Sequence, residues 1–196
     1  MLLLIKELIM EKIALFDLDG TLADYHSALK RDLELIRSPL EPALDDISLL
    51  KKEPHLEARR HMITSQVGWW LKLEKFKLGW DILTEVKKLG YSVVVLTKGP
   101  NSKFSAWSEK VEWCNRQLDK EIDGVTITHN KGLVYGKVLV DDYPEYITQW
   151  LKWRPRGLVV MPAHEYNKDF SHPNVVRYDG SNLDEVVARL KSHLSS

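Results

Sequence analysis

Six short apolar runs, rich in β-branched residues, recur along the chain: Lys12–Phe16, Ser92–Leu96, Val125–Thr128, Lys137–Val140, Gly157–Met161 and Val175–Tyr178. Amphipathic stretches of helical period fall between most of them, at Trp80–Leu89, Lys103–Lys120, Pro144–Trp153 and Leu183–His193. The last has Ser181 or Asn182 as its cap and places Leu183, Val186, Val187 and Leu190 on one face. Strands that alternate with helices of this length close into a parallel sheet, because each crossover must carry the chain back across the sheet. The pattern therefore predicts an α/β protein: a Rossmann-like three-layer fold with a central parallel sheet. No internal repeat and no low-complexity tract interrupts it.

One segment breaks the alternation. From Asp24 to about Lys75 there is no strand signal, only helical pieces punctuated by Pro39, Pro42 and Pro54. A plain loop of that length is foreign to a compact domain. It reads as a small helical cap, residues 23–75, inserted into a core domain formed by residues 10–22 and 76–196. Residues 1–9 read as an N-terminal extension, with Met10 a natural start for the first strand. The apolar run of MLLLIKELIM is broken by Lys6 and Glu7 and is too short to span a bilayer. It carries no basic leader region and no small-residue cleavage site, so the expectation is a cytoplasmic protein. Cys114 is the single cysteine, which excludes an internal disulfide and fits a reducing compartment. Beside Trp113 in a helical run, its thiol reads as buried and inert. Lys plus Arg equals Asp plus Glu at 28 each, so no basic excess points to a nucleic-acid polymer. A small anionic ligand needs only local charge.

The local charge is acidic and sits where strands end. In IALFDLDGTLADY, Asp17 and Asp19 follow the first apolar run and project the same way, because alternate residues of an extended chain share a face. Gly20 permits the tight turn that follows. Asp141 and Asp142 end the run KVLV in the same fashion, and Thr97 ends VVVL. In a parallel sheet all three strand ends meet at one edge, where ligands of such sheets bind. Each aspartate alone is an ordinary turn or cap residue. Together they need a cation, and few oxygen ligands with room for waters and a phosphate suit Mg²⁺ better than zinc or calcium. Lys131, ten residues before Asp141, is the candidate counter-charge. Lys137 competes for that role, but it begins a strand and is expected to face solvent.

These residues carry a resemblance. DLDGTLAD, a strand-end Thr97, Lys131 and the Asp141–Asp142 pair resemble, in order and spacing, the four motifs of the haloacid dehalogenase-like phosphohydrolases. Within that superfamily the chain is most similar to the 5′(3′)-deoxyribonucleotidases, through LADY, GWWLKLEKFKLGWDIL, WSEKVEWCNRQL, HNKGLVYGKVLVDDYP and PAHEYNKDF, over about residues 11–170. The resemblance implies a Mg²⁺-dependent phosphomonoester hydrolase of 5′-nucleotidase type acting on (deoxy)ribonucleoside monophosphates. Asp17 would be the nucleophile, forming an aspartyl-phosphate, and Asp19 the acid and then the base. The metal would be held by Asp17, the backbone carbonyl of Asp19 and an aspartate of the second pair, Asp142 in contact and Asp141 in support. Thr97 and Lys131 would bind the equatorial phosphoryl oxygens. After the motif threonine the family tends to place a small hydroxyl residue; here it is Lys98, a further phosphate-binding candidate.

A nucleotide also needs a slot for its base. Tyr25 stands at the entry to the insert, and Trp69 and Trp70 where it returns. The matching family positions are aromatic and line the base pocket, so Tyr25 and Trp70 are the stacking candidates, with Trp69 beside them. Each stacked base is worth about 1–3 kcal/mol. Arg59 and Arg60 are explained equally by substrate contacts and by a solvated helix face. The competing expectations are the same chemistry on another small phosphorylated metabolite, and a non-catalytic nucleotide-binding protein. The many tryptophans leave room for a homodimer surface.

Overall fold

The structure is a computed structural model and describes residues 12–44, 53–101 and 103–194. The expected extension, residues 1–9, and part of the insert lie outside the described residues. Six parallel strands form one sheet: β1 (Ile13–Phe16), β2 (Ser92–Thr97), β3 (Gly124–Ile127), β4 (Val138–Val140), β5 (Leu158–Pro162) and β6 (Val175–Tyr178), in the order β3-β2-β1-β4-β5-β6. Every expected strand is present, with ends displaced by a residue or so. Among the described residues six α-helices accompany them: α1 (Tyr25–Leu35), α2 (Pro54–Thr64), α3 (Lys77–Lys88), α4 (Phe104–Gln117), α5 (Pro144–Trp153) and α6 (Leu183–Leu194).

α5 has the bounds expected for it, beginning at a proline whose missing N–H costs a first turn nothing. α3 begins at Lys77 rather than Trp80, because Ile82, Leu83 and Val86 bury a stripe that runs back to Gly79. α4 stops at Gln117 rather than Lys120. The chain there enters one 3-10 turn, Asp119–Glu121, with Asp119 at φ 37°.

Two apolar layers sandwich the sheet, as the near-continuous apolar runs of β2, β4 and β5 require. Leu15, Leu139, Ile147, Trp150 and Met161 pack on the α5 side. Ala14, Phe16, Val95, Val140 and Val160 face the larger cluster, which includes Ile82, Val86 and Trp113. Cys114 lies fully buried in that cluster, and burial pushes its thiol up to about 12, so it is inert as expected.

Strand order fixes the position of any site. Successive strands run outward from β1 through β2 to β3, and the chain then returns to β4 on the other side of β1. The crevice where the order reverses opens between the carboxyl ends of β1 and β4. Asp17 is the residue after β1, and Asp141 and Asp142 are the two residues after β4.

The segment between β1 and α3 rises over this crevice as α1, α2 and a 3-10 turn at Trp70–Lys72. It is fastened to α4. Glu109 accepts the backbone N–H groups of Gly68 (2.8 Å) and Trp70 (3.3 Å), and the indole of Trp113 donates to the Leu73 carbonyl at 2.8 Å. Lys103, at the α4 cap, donates to the His61 carbonyl (3.1 Å) and to the Thr64 hydroxyl at the end of α2. Among the described residues no helix is long and apolar enough to cross a membrane.

Candidate active site

Asp17, Asp141 and Asp142 bring one carboxylate oxygen each to within 4.8 Å of one another. All three are buried, at 5%, 0% and 2% exposure. Lys131, itself 1% exposed, lies between two of them, with Nζ 2.8 Å from Asp17 Oδ1 and 2.7 Å from Asp141 Oδ2. Three carboxylates against one ammonium leave a charge of about −2. Burial drives Asp17 well above the ordinary carboxylate range, against the pull of Lys131, and the other aspartates push it further. Burial also raises Asp141 to about 6. Clustered anions in a low dielectric behave this way when their counter-charge is incomplete. A hard divalent cation with oxygen ligands supplies the deficit, so these residues fit Mg²⁺.

Asp142 is the exception. Burial acts on it too, but the hydrogen bond and charge of His26, then His164, and the Tyr166 hydroxyl hold it below the ordinary range. Thr21 Oγ1 donates to its Oδ1 at 2.9 Å, and the Tyr166 hydroxyl donates to Oδ2. His26 Nε2 lies 2.9 Å from that hydroxyl and 3.5 Å from Oδ2. Asn167 Nδ2 donates to the Asp142 carbonyl at 2.9 Å. Asp142 is thus kept ionised and fixed by Thr21 and His26 on one side and, on the other, by the segment after β5, which is the PAHEYNKDF stretch.

His26, Asp142 and His164 form a second group with ligand spacing. Its chemistry argues against a metal there. His164 Nε2 donates to the Gly20 carbonyl at 2.7 Å, and its side chain accepts the Asn167 backbone N–H. Both ring nitrogens are committed, and the ring is stacked between Phe76 and Tyr166. This group braces the turn after β1. Gly20, at φ +81°, adopts a left-handed conformation there, and a Cβ on it would meet His26 Nε2 at 2.6 Å and Asp142 Oδ2 at 2.7 Å.

On the β2 side, Thr97 ends its strand fully buried. It lies beneath the cavity floor, where its hydroxyl accepts from Lys110 Nζ at 3.2 Å. Lys110 also donates to the Lys98 carbonyl (2.8 Å), pairs with Asp19 Oδ2 (2.5 Å) and sits 4.6 Å over the Trp70 ring. The other oxygen of Asp19, Oδ1, is buried and has no protein partner. Lys110 escaped the sequence reading. Its one signal was a lysine on the apolar stripe Ala106, Lys110, Trp113, Cys114 of α4. Lys137 starts the opposite end of β4 and stays away from the site, as expected.

A cavity of about 820 Å³ opens above these groups. Asp17, Asp19, Lys110, Lys131 and Asp142 form its floor, and Tyr25, Arg60, Trp70 and Lys103 its upper wall. Lys98 and Tyr146 stand at one side, the Lys98 amine 5.4 Å from the Tyr146 ring. Asp141 lies below the floor. Arg60 lines the cavity while Arg59 turns away to pair with Glu41 at 2.6 Å.

The aromatic candidates separate. Tyr25 and Trp70 stack on each other, centroids 5.5 Å apart and planes 20° apart. An inserted ring would require two stacking distances in series, each about 4.5 Å or more, so nothing enters between them. The partly open Tyr25 face is where a base can lie. Trp69 is buried edge-on to both, with its indole donating to Asp32 at 2.7 Å, and it forms no part of the wall.

Comparison with known proteins gives the family and the fold. The family model described as "5' nucleotidase, deoxy (Pyrimidine), cytosolic type C protein" matches residues 11–190. No curated protein sequence matches the chain. Among solved structures, a putative phosphoglycolate phosphatase from Lactobacillus delbrueckii subsp. bulgaricus is similar at TM-score 0.56 and 12% identity, over 91% of this chain and 98% of that one. A putative β-phosphoglucomutase from Thermotoga maritima is similar at TM-score 0.53 and 16% identity, over 92% and 99%. A putative haloacid dehalogenase-like hydrolase from Burkholderia xenovorans is similar at TM-score 0.51 and 18% identity, over 90% and 98%. At these identities the likeness speaks for the fold.

Proposed function

The chain belongs to the 5′-nucleotidase, deoxy (pyrimidine), cytosolic type C family of haloacid dehalogenase-like phosphohydrolases, and from that membership we propose a Mg²⁺-dependent phosphatase of (deoxy)ribonucleoside monophosphates. The observation that carries the reading is the convergence of Asp17, Asp19, Asp142, Lys110 and Lys131 on one cavity with an aromatic wall.

In this reading residues 23–75 act as a cap over the core domain. Asp17 and Asp142, with the Asp19 backbone carbonyl, would hold Mg²⁺, and Asp141 would support them by orienting Lys131. Bound there, Mg²⁺ would supply positive charge against the phosphoryl oxygens and favour the ionised form of Asp17. An Asp17 carboxylate oxygen attacks phosphorus in line, and the P–O bond to the leaving group breaks. The leaving oxygen takes a proton from Asp19, a role supported by its Oδ1 having no protein partner. Water then attacks the aspartyl-phosphate, giving its proton to Asp19, and Asp17 is released with inorganic phosphate. Lys131 and Lys110 flank the phosphoryl oxygens as charge develops, and Thr97 contributes by fixing Lys110. Lys98 adds a cation at the mouth.

Incubating the purified chain with Mg²⁺ and a panel of phosphate esters, and reading phosphate release, tests this. Nucleoside monophosphates are turned over fastest. Release from sugar phosphates but from no nucleoside monophosphate overturns it. The closed Tyr25–Trp70 stack favours the second reading, another small phosphomonoester, and equal rates on non-aromatic substrates select it. A wild type that binds nucleotide without releasing phosphate would indicate a binding protein.

A further inference from the structure

We propose that Lys103 is a specificity-determining residue, selecting phosphomonoesters that carry a second anionic group under the insert. The inference deepens the phosphatase reading and rests on it.

Lys103 lines the same cavity as the acidic cluster, yet it is only 8% exposed. Its amine has three donors. Two are used, by the His61 carbonyl and the Thr64 hydroxyl, and both acceptors are neutral. The Thr64 hydroxyl is itself committed as a donor to the Arg60 carbonyl at 2.8 Å. Among the described residues no carboxylate pairs with Lys103. Glu57 is the acid that acts on it electrostatically, and Glu57 is locked to Arg60, whose Nε lies 2.8 Å from Glu57 Oε2. Arg60 adds repulsion rather than relief. The ammonium is therefore drawn down to about 8, first by burial and then by Arg60.

The cations of the cavity floor differ in this respect. Lys131 is paired with Asp17 and Asp141, and Lys110 with Asp19. A buried ammonium without an anion is costly, and the cost falls when a ligand brings the missing charge. Lys103 and Lys110 lie seven residues apart at the start of α4, two turns or about 10 Å of rise along its axis. Lys110 marks the phosphoryl position, so the charge that Lys103 awaits belongs to a remote part of the same substrate. A nucleoside with phosphates on both the 3′ and 5′ oxygens, or a phosphorylated hydroxy acid, has that character.

The test compares matched pairs on the full chain with Mg²⁺: a nucleoside 5′-monophosphate against its 3′,5′-bisphosphate, and glycerol phosphate against phosphoglycerate. Phosphate release and calorimetric binding are both measured, on wild type, Lys103→Met and Lys103→Arg, each checked for folding by thermal melting. In wild type, kcat/KM and affinity favour the doubly anionic member of a pair by about tenfold or more. Lys103→Met removes that preference through KM, and Lys103→Arg restores most of it. Equal handling of both members by wild type, or an unchanged preference in Lys103→Met, overturns the proposal. A Lys103-dependent preference in the hydroxy-acid pair, with no phosphate released from either nucleotide, upholds Lys103 and refutes the nucleotidase reading. A binding preference without turnover upholds Lys103 and refutes the phosphatase.

Discussion

Gly79→Ala tests whether the acidic cluster is positioned from behind. Gly79 lies in α3, outside the cavity wall, where the helix crosses the turn that follows β1. A Cβ at this position would stand 1.7 Å from the Thr21 carbonyl oxygen and 2.7 Å from its carbon. Real Cβ contacts are essentially never under 3.0 Å, so helix and turn must part by about 1.3 Å. Both obstacles are backbone, and no side chain can swing aside. Overpacking of this kind costs about 3 kcal/mol, which in a chain of this size is a fall of about 6–12 °C in Tm. The same shift stretches the 2.9 Å bond from Thr21 Oγ1 to Asp142 Oδ1 beyond hydrogen-bonding range. Displacements of about 1 Å near reacting groups cost about 10²-fold in rate. The assay is paired: thermal melting, and kcat on the best substrate with saturating Mg²⁺. Gly124→Ala is the control, since nothing lies within 4 Å of a Cβ there, and its Tm should move by about 1 °C or less. A Gly79→Ala protein with unchanged Tm and kcat would refute the reasoning.

Other expectations follow from the same geometry. Asp17→Asn lowers phosphate release by about 10³-fold or more while the chain still melts cooperatively; a kcat within tenfold of wild type would remove Asp17 from the role of nucleophile. Lys110→Met lowers kcat by about 10²–10³-fold, because a buried cation beside the transferred group is lost. Chelation of Mg²⁺ abolishes turnover, and restoring the ion at about 100 times its Kd raises stability by about 2.7 kcal/mol, read as a higher Tm. A Tm indifferent to Mg²⁺ would mean the acidic cluster holds no ion. For Lys103, the folded-state pKa of about 8 lies below its ordinary 10.5. Between those values the unfolded chain binds the extra proton, so stability rises with pH. Wild type should gain stability relative to Lys103→Met from pH 8 to pH 10, and a constant difference would show that the amine is not strained by burial.

Much of this was legible in the sequence, for reasons that can be traced to residues. The strands announced themselves because both faces of the sheet are covered, leaving unbroken apolar runs at β2, β4 and β5. Asp17, Asp141 and Asp142 could be read because each follows such a run directly, so a parallel sheet had to gather them. What escaped depends on distances the linear chain does not carry. Lys110 reaches the site from a helix face thirteen residues after Thr97. Tyr166 and Asn167 arrive from beyond β5 to hold Asp142. Trp69 and Trp70 are neighbours of one chemical type, and only the turn at Trp70–Lys72 decides which one faces the cavity.

The seam between α4 and the segment above it has a kinetic meaning. Hydrogen bonds made by Lys103, Glu109 and Trp113 stitch that segment to the same helix that carries Lys110 to the cavity floor. Swinging it open would rupture five of them together, at about 1 kcal/mol each, and would take the Trp70 ring away from Lys110. The expected route for a small ligand is therefore the side of the cavity lined by Lys98 and Tyr146. On that expectation molecular girth, rather than a moving lid, selects the substrate, and a folded phosphoprotein is left outside.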